Sequence, residues 1–310
     1  MTPRIKVFGV GGSGSNTISR MAKFDIKEVE LVAANTDAQA LHFSKAGKKI
    51  LLGNNVTHGL GTGMDANLGR EAAQESKNEI SENLKGADMV FVTCGLGGGT
   101  GSGASPIVAE ISKGLGILTV AVVTTPFSFE GEQRKKVAEE ALKNLKDKVD
   151  SLLVISNDNL LKMVDEKTTV SNAFEICDQI LHEAVQGITD LILVPGIINI
   201  DFASVVSIIK NSGKALFGMG KAAGENRAVL AAEKAINSPL LNFSIEGAKG
   251  VLFSAAGNDV SLNEIQEAAK VITKKVDKRA QIIFGAVKPP KGYPNLKKGE
   301  IKISVIATKL

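Results

Sequence analysis

A run of nine residues, 95–103, has the composition of an anion-binding loop. It follows an apolar, strand-like segment at 89–94 and precedes a helix-like segment at 104–113. Five of the seven residues 97–103 are glycines, so backbone N–H groups can point at one anion from a turn and a helix N-terminus. The run lacks the Gly-Lys-Ser/Thr ending of a Walker A loop, and a flexible linker rarely lies between two regular elements. It therefore predicts a phosphate-binding loop of another kind.

A second glycine run, 9–14, follows the first predicted strand and opens a predicted helix at 17–23. Its G-x-G-x-x-G spacing is typical of dinucleotide-binding folds, and Asp37 lies near the position of their ribose-binding acid. An NAD-dependent oxidoreductase is therefore one interpretation. However, a third glycine-rich turn occurs at 59–63. Three such loops suit the phosphate chain of a mononucleotide better than the single pyrophosphate of a dinucleotide.

The elements that must position these loops alternate between strands and helices. Amphipathic segments, including one predicted helix over 67–84, separate short apolar runs. Continuously apolar runs are typical of parallel strands buried on both faces. They occur at 5–10, 29–34, 89–94, 117–124 and 152–156. The alternation predicts an α/β fold with a doubly wound parallel sheet.

A long helix is predicted over 171–193, where apolar residues keep helical spacing until Pro195 and Gly196. The remainder predicts a smaller α+β domain. Its predicted helices are 222–237 and 262–276, the second with a capping box at its start, and its predicted strands are 251–255, 281–286 and 301–308. Alternation in the last strand predicts one solvent-exposed face. The predicted units are 1–170, 171–204 and 205–310.

Composition excludes several classes of function. The chain has 310 residues, 44% hydrophobic, 23% charged and 4% aromatic, with a net charge of +4 and no basic stripe, so nucleic-acid binding has little support. Two cysteines and three dispersed histidines predict neither a disulfide framework nor a metal site. The sequence predicts no membrane insertion and a cytoplasmic location.

Taken together, the motifs resemble the tubulin/FtsZ family, and its cell-division branch in particular. The run 97–103 is similar to the family's signature loop, and the resemblance extends in order over essentially the whole chain. Further similar stretches are Asn-Thr-Asp-Ala-Gln-Ala-Leu at 35–41, 59–63 with Gly69-Arg70, Pro-Phe-Ser-Phe-Glu-Gly at 126–131, Ala-Val-Gln-Gly-Ile at 184–188 and Gly-Glu-Asn-Arg-Ala at 224–228.

The resemblance implies a GTP and GDP site, with Mg²⁺, and K⁺ as a further candidate cation, accompanying the nucleotide. It assigns phosphate and guanine contacts to Gly12, Ser13, Gly14, Ser15 and Asn16. It assigns the β and γ phosphates to Gly99, Thr100 and Gly101, the ribose to Glu130 and Arg134, and the base to Phe174 and Asp178. A carboxylate at Asp178 suits the N1–H and N2–H donors of guanine, which adenine lacks.

Residues 193–204 resemble the family's synergy loop, which enters the nucleotide site of the next subunit and positions the attacking water. Asp201 matches the first acid of that loop and Asn199 the polar residue before it. The second acid, usual three residues later, is Ser204 here. A serine cannot orient water or hold a cation as a carboxylate does, so slow turnover is expected.

The resemblance implies a head-to-tail homopolymer at the mid-cell division site, with regulators and membrane anchors recruited through a tail absent from these 310 residues. Three alternatives remain open at this point. The chain could bind GTP and form filaments yet barely hydrolyse it, because of Ser204. It could be a plasmid-partitioning or archaeal shape-control tubulin relative, or the oxidoreductase described above.

Overall fold

The computed structural model describes residues 2–24, 29–161, 168–194, 196–198, 200–241, 244–288 and 296–309. The chain divides into two compact units, Met1–Val185 and Gln186–Leu310. This division falls within one long helix. The bounds proposed from the sequence, 1–170, 171–204 and 205–310, stay a prediction.

The first unit contains a parallel sheet of six strands. They are β1 (Ile5–Val10), β2 (Val29–Asn35), β3 (Lys48–Leu51), β4 (Met89–Gly95), β5 (Leu118–Thr125) and β6 (Ser151–Ser156). Their order is β3-β2-β1-β4-β5-β6, and every pairing is parallel. The predicted parallel sheet is thus confirmed. The edge strand β3 was not predicted, because it is short and begins with two exposed lysines.

Helices join these strands. They are α1 (Gly11–Met21), α2 (Ala38–Phe43), α3 (Asn54–Thr57), α4 (Ala66–Glu75), α5 (Lys77–Leu84), α6 (Gly99–Gly114), α7 (Glu132–Lys146), α8 (Asn157–Leu161) and α9 (Val170–Leu193). The long helix α9 agrees with the predicted one. Within the described ranges, no helix has both the length and the apolar character that a bilayer span requires.

Three helix predictions were wrong in their bounds. The single helix predicted over 67–84 is interrupted at Ser76, where ψ is 13° and the hydroxyl accepts a hydrogen bond from Gly53 N at 2.9 Å. Helices α1 and α6 begin within the glycine runs that were predicted to be loops. The helical glycines permit close packing: a Cβ at Gly103 would lie 2.0 Å from the carbonyl oxygen of Ala66 in α4.

The second unit has a mixed sheet and three shorter helices. Its strands are β7 (Gly196–Ile198), β8 (Gly213–Ala223), β9 (Gly250–Ala256), β10 (Gln281–Val287) and β11 (Glu300–Thr308), and its helices are α10 (Phe202–Ile209), α11 (Arg227–Ile236) and α12 (Leu262–Thr273). The order is β8-β11-β9-β10-β7, with only β9 and β10 parallel among these pairs. The α+β prediction is confirmed, although residues 222–223, predicted to be helical, end β8.

The predicted solvent-exposed face of the last strand was wrong. Strand β11 lies between β8 and β9, and Lys302 and Ser304, expected on the exposed face, are buried. Gly187 of α9 lies against this face, because a Cβ there would be 3.6 Å from the Ser304 Cβ. Alternation alone cannot reveal such a cover, because it comes from a segment more than a hundred residues away in the chain.

Residues at the start of α12 confirm the predicted capping box. Glu264 N donates to the Ser261 hydroxyl, and Ser261 N donates to the Glu264 carboxylate. Arg227 then ties α11 to the same site, since its Nε donates to Glu264 Oε1 at 2.6 Å and its Nη1 donates to the Gly299 carbonyl at 2.9 Å. The Gly-Glu-Asn-Arg-Ala stretch noted in the sequence thus supplies a structural cross-link.

Candidate functional site

Two helix N-termini meet at one edge of the first sheet. Helix α1 follows β1 directly and α6 follows β4, and these strands are neighbouring and parallel, so both helices begin at the same edge. Neither helix has a side-chain cap or an acidic residue in its first turn. Their unpaired N–H groups and positive dipole ends together favour an anion.

The glycines at these N-termini fall into two groups. A Cβ would lie 2.6 Å from Thr93 O at Gly14, 2.2 Å from Thr62 Oγ1 at Gly99 and 2.5 Å from Gly95 O at Gly101, so close packing explains these three. At Gly12 and Gly98, by contrast, a Cβ would meet nothing within 4 Å. Packing therefore does not explain these two glycines, and the space above their backbone fits a group that approaches the N–H groups closely.

Three threonine hydroxyls, one from the first turn of α6 and two from loops, converge at the start of α6. Thr100 Oγ1 lies 2.7 Å from Thr36 Oγ1 and 3.4 Å from Thr62 Oγ1, and all three side chains are buried. Thr62 belongs to the third glycine-rich turn, and Thr36 follows β2. The fold thus joins the third turn to the other two loops, as the mononucleotide interpretation expected.

A cleft of about 430 Å³ opens between α1 and α9. Asn16 and Arg20 line it from α1, and Phe174 and Asp178 line it from α9. The Asp178 carboxylate accepts a hydrogen bond from the Ser13 hydroxyl at 3.5 Å, and its other oxygen lies 3.9 Å from the Arg20 guanidinium. A flat apolar ring and a carboxylate one helical turn apart therefore line a cleft that is large enough for a nucleobase.

The pKa of Asp178 lies well above the ordinary value of an aspartate carboxyl. Burial raises its pKa to about 6, because loss of hydration outweighs the attraction of Arg20 and the hydrogen bonds from Ser13 and Thr17. The exposed carboxylate of Glu175 acts in the same direction as burial. A ligand that donates two hydrogen bonds to Asp178 would replace the lost hydration and favour its ionised form.

A chain of contacts connects this cleft to the loop at 96–98 that precedes α6, here called the α6 loop. The ring of Phe174, 41% exposed, packs edge-on against Phe127 with centroids 5.3 Å apart. Phe127 N donates to Glu130, which also forms a 2.8 Å ion pair with Arg134. Arg134 in turn lies against the α6 loop, since its carbonyl oxygen would be 3.0 Å from a Cβ at Gly97. The first unit thus places most of the predicted site residues along the same edge of its sheet.

Two residues singled out in the sequence, Ser15 and Asp37, lie differently. Ser15 is buried, and its hydroxyl is enclosed without a protein partner among the described residues. Asp37, the possible ribose ligand of a dinucleotide fold, instead caps α2 by accepting from Ala40 N at 2.9 Å. Asn199 lies outside the described residues.

Asp201 belongs to the second unit, where it is the N-cap of α10. Its carboxylate accepts a hydrogen bond from Ser204 N at 2.8 Å and is fully exposed. Hydrogen bonds from the Ser204 hydroxyl and N–H hold the pKa of Asp201 below its ordinary value, so the carboxylate is ionised at neutral pH. Ser204 therefore orients the acid that precedes it.

Sequence reasoning missed Arg20, Phe127 and Thr36 as members of the site. A single arginine on an amphipathic helix gives no signal, and Phe127 is an ordinary core residue by composition. Thr36 and Phe127 carried a hint, since they lie in the stretches 35–41 and 126–131 compared with the family above. Their positions in the candidate site depend on contacts between segments that are far apart in the chain.

Comparison with known proteins agrees with this geometry. Residues 4–165 match the Tubulin/FtsZ family GTPase domain, and residues 213–310 match the FtsZ family C-terminal domain. An empty FtsZ dimer from M. jannaschii is 44% identical, with a TM-score of 0.95 over 99% of this chain and 88% of that one.

Two more distant structures share the fold alone. CetZ2 from Haloferax volcanii, in a GTPγS-bound protofilament, is 21% identical, with a TM-score of 0.83 over 99% of this chain and 92% of that one. CetZ1 from the same organism, a GDP-bound monomer, is 23% identical with a TM-score of 0.83 over 100% and 94% of the two chains. The higher identity and the matched C-terminal domain both favour FtsZ, and the chain therefore belongs to the FtsZ family of tubulin-like GTPases.

Proposed function

We propose that this GTPase binds GTP at the sheet edge of its first unit, polymerises head-to-tail, and completes its hydrolytic site with Asp201 of the next copy. The observation that carries the nucleotide site is the pair of uncapped helix N-termini with open space above Gly12 and Gly98. The adjacent cleft is lined by Asp178, whose carboxylate suits the N1–H and N2–H donors of guanine and so argues for GTP over ATP.

The phosphate contacts come from backbone donors. Gly12, Ser13 and Gly14 in the first turn of α1, and Gly99, Thr100 and Gly101 in the first turn of α6, would surround the β and γ phosphates with N–H groups. Among the described residues, no group of three His, Cys, Asp or Glu side chains is close enough to hold a metal ion. Mg²⁺, or K⁺ beside it, would accordingly take most ligands from phosphate and water.

The base and sugar contacts come from side chains. Asp178 would accept from guanine N1–H and N2–H, Phe174 would stack on the base, and Asn16 would line its edge. Glu130 and Arg134, paired with each other, would meet the ribose. Ser15 is a weaker candidate, because its enclosed hydroxyl would first have to reach the ligand.

Hydrolysis needs a group that orients water, and the resemblance of residues 193–204 to the synergy loop assigns this role to Asp201. Asp201 is exposed and ionised, which suits a group delivered to another copy. Asn199 would assist it. Because phosphoryl transfer depends mainly on positioning and electrostatics, an acid supplied by a neighbour can control the rate.

The cellular role that we propose is formation of the division ring at mid-cell, with regulators and membrane anchors as further partners. The support is the identity to FtsZ, about twice that to either CetZ. A fluorescent fusion should form a band at mid-cell before division; uniform distribution along the cell would contradict this role.

The same substitution should have different effects at Gly12, where the space is open, and at Gly103, which packs against α4. Gly12→Ala adds a methyl group into open space, so it should leave the free energy of unfolding unchanged within about 0.5 kcal/mol while weakening GTP binding at least tenfold, about 1.4 kcal/mol. Gly103→Ala forces a methyl group against Ala66 and should destabilise the fold by about 1–3 kcal/mol. Calorimetric titration measures the GTP affinity, and denaturant unfolding measures the free energy of unfolding. Parental GTP affinity in Gly12→Ala would contradict the phosphate site.

Asp178→Asn should move stability and affinity in opposite directions. The folded chain holds the Asp178 proton more tightly than the unfolded chain does, so stability falls as pH rises from about 4 to about 6. The variant should therefore be more stable than the parent at pH 7.5 without nucleotide, yet bind GTP at least about tenfold more weakly. The GTP affinity of the parent should increase as the pH is raised through 6, because Asp178 becomes ionised. The variant should lack this part of the pH dependence.

A matched control is Glu175→Gln, which neutralises another carboxylate lining the same cleft. It should change GTP affinity by less than about twofold, because the guanine donors are assigned to Asp178. Titrations of both variants and the parent at pH 5.0–7.5 separate the Asp178 titration from that of the phosphates. Equal losses in the two variants would rule out a specific role for Asp178.

GTP turnover per subunit should rise steeply with protein concentration, because each hydrolytic site needs two copies. Asp201→Asn keeps a good N-cap for α10 but removes the carboxylate, and should lower turnover roughly 100-fold or more with GTP binding unchanged. Ser204→Asp restores a second acid and should raise turnover about tenfold or more. A rate per subunit that stays constant on dilution would contradict the shared site, and no gain in Ser204→Asp would contradict the explanation for slow turnover.

A further inference from the structure

A second cavity of the first unit lies between α4 and α7, with α6 as its floor, and has a volume of about 510 Å³. We call it the α4–α7 groove. It shares no lining residue with the cleft between α1 and α9 that contains Asp178. Its volume lies within the range of about 300–1,000 Å³ that is usual for small-molecule sites.

The floor of the groove contains a backbone acceptor that lacks its usual donor. Pro106 lies inside α6 and has no N–H, so the carbonyl of Ser102, four residues earlier, has no helical partner at that position. Both residues line the groove, and both are buried. The floor therefore offers a hydrogen-bond acceptor to a ligand that carries an N–H or O–H group.

The walls of the groove combine apolar side chains with two opposite charges. Ile107 of α6, and Val137 and Ala141 of α7, supply apolar surface. Arg70 of α4 and Glu140 of α7 are exposed, and within the part of the chain that the structure describes neither side chain has an ion-pair or hydrogen-bond partner. Two opposite charges thus line one groove without pairing with each other.

The other two charged side chains that line the groove are already engaged. Asp65 is the N-cap of α4 and accepts a hydrogen bond from the backbone of that helix at 2.8 Å. Lys148 forms a 2.6 Å ion pair with Glu110. Arg70 and Glu140 are therefore the charges available to a ligand. Since they come from different helices, a ligand that carries both a carboxylate and an ammonium group complements both.

The third glycine-rich turn also lines the groove, through Gly63 and Met64. Met64 has a φ of 72°, which a residue with a side chain rarely adopts, and its flexible side chain is 40% exposed. In the same turn, Thr62 lies 3.4 Å from Thr100 at the start of α6. A ligand that contacts Met64 would therefore act on a segment that reaches the phosphate loop.

We propose that the α4–α7 groove binds a small zwitterion with an apolar ring, which is the chemistry of an aromatic amino acid. The carboxylate of this ligand pairs with Arg70. Its ammonium group donates to Glu140 and to the Ser102 carbonyl, and its ring packs against Val137. By holding the third turn against Thr100 the ligand tightens GTP binding, a consequence that rests on the proposed nucleotide site.

Three indole compounds test how the ligand's charges are recognised, with the full chain and without nucleotide. L-Tryptophan carries both charges, tryptamine lacks the carboxylate, and indole-3-propionate lacks the ammonium group. Calorimetric titration should give a dissociation constant of about 1 mM or tighter for tryptophan. Each of the other two compounds should bind at least about fivefold more weakly, because one charge of the groove is then left without a partner.

Two variants assign the two charges. Arg70→Met removes the guanidinium but keeps an apolar stem, and it should weaken tryptophan binding at least about fivefold and abolish the preference for tryptophan over tryptamine. Glu140→Gln should weaken tryptophan binding to the same degree and abolish the preference over indole-3-propionate. Loss of the preference over one particular compound in each variant is a result that a general structural change would not produce.

Matched controls are Lys136→Met and Glu139→Gln, which remove exposed charges of α7 that do not line the groove. Both should bind tryptophan like the parent. In the parent, saturating tryptophan should lower the dissociation constant of GTP at least about threefold, and GTP should tighten tryptophan binding by the same factor, because such coupling is reciprocal. Unchanged GTP affinity at saturating tryptophan would overturn the coupling.

Two results would overturn the binding site itself. One is the absence of tryptophan binding to the parent at concentrations up to about 10 mM. The other is parental tryptophan affinity in Arg70→Met or in Glu140→Gln. These titrations contain no GTP, so the groove can fail as a site while the proposed function stands. Normal tryptophan binding by a chain that does not bind GTP would contradict the proposed function alone.

Discussion

The adjacency of β1 and β4 in a parallel sheet is the constraint on which the site depends. Parallel strands present their carboxyl ends at one edge, so the helices that follow these two strands begin beside each other. Each helix leaves N–H groups without side-chain caps. Two neighbouring helix N-termini concentrate N–H donors and positive potential in one place. A single N-terminus would bind a polyphosphate only weakly.

Glycine serves two purposes at this edge, and the distinction matters for the chemistry. At Gly14, Gly99 and Gly101 the backbone of another segment lies where a side chain would be. At Gly12 and Gly98 the corresponding space is open. Close packing of the first group holds the helix starts rigidly, and rigidity lets the second group present N–H groups to a ligand without reorganisation.

The pKa values of the two carboxylates of the proposed mechanism are shifted in opposite directions. Burial raises the pKa of Asp178, which lowers the stability of the empty site and leaves free energy to be regained when a donor-rich base binds. Hydrogen bonds from Ser204 keep Asp201 ionised in full contact with solvent. The first arrangement suits recognition within one chain, and the second suits an acid that acts on another chain.

The sequence by itself indicated the alternation of strands and helices, the positions of the three glycine-rich segments and, through its motifs, the family, because apolar periodicity and glycine spacing are local properties. It also indicated Phe174 and Asp178, which one helical turn connects. Only the tertiary structure decided that the glycine runs start helices, that Ser76 interrupts a helix, that β11 is covered on both faces, and that Arg20 and Thr36 join the site. These outcomes depend on contacts between segments far apart in the chain, and local sequence patterns carry no information about such contacts.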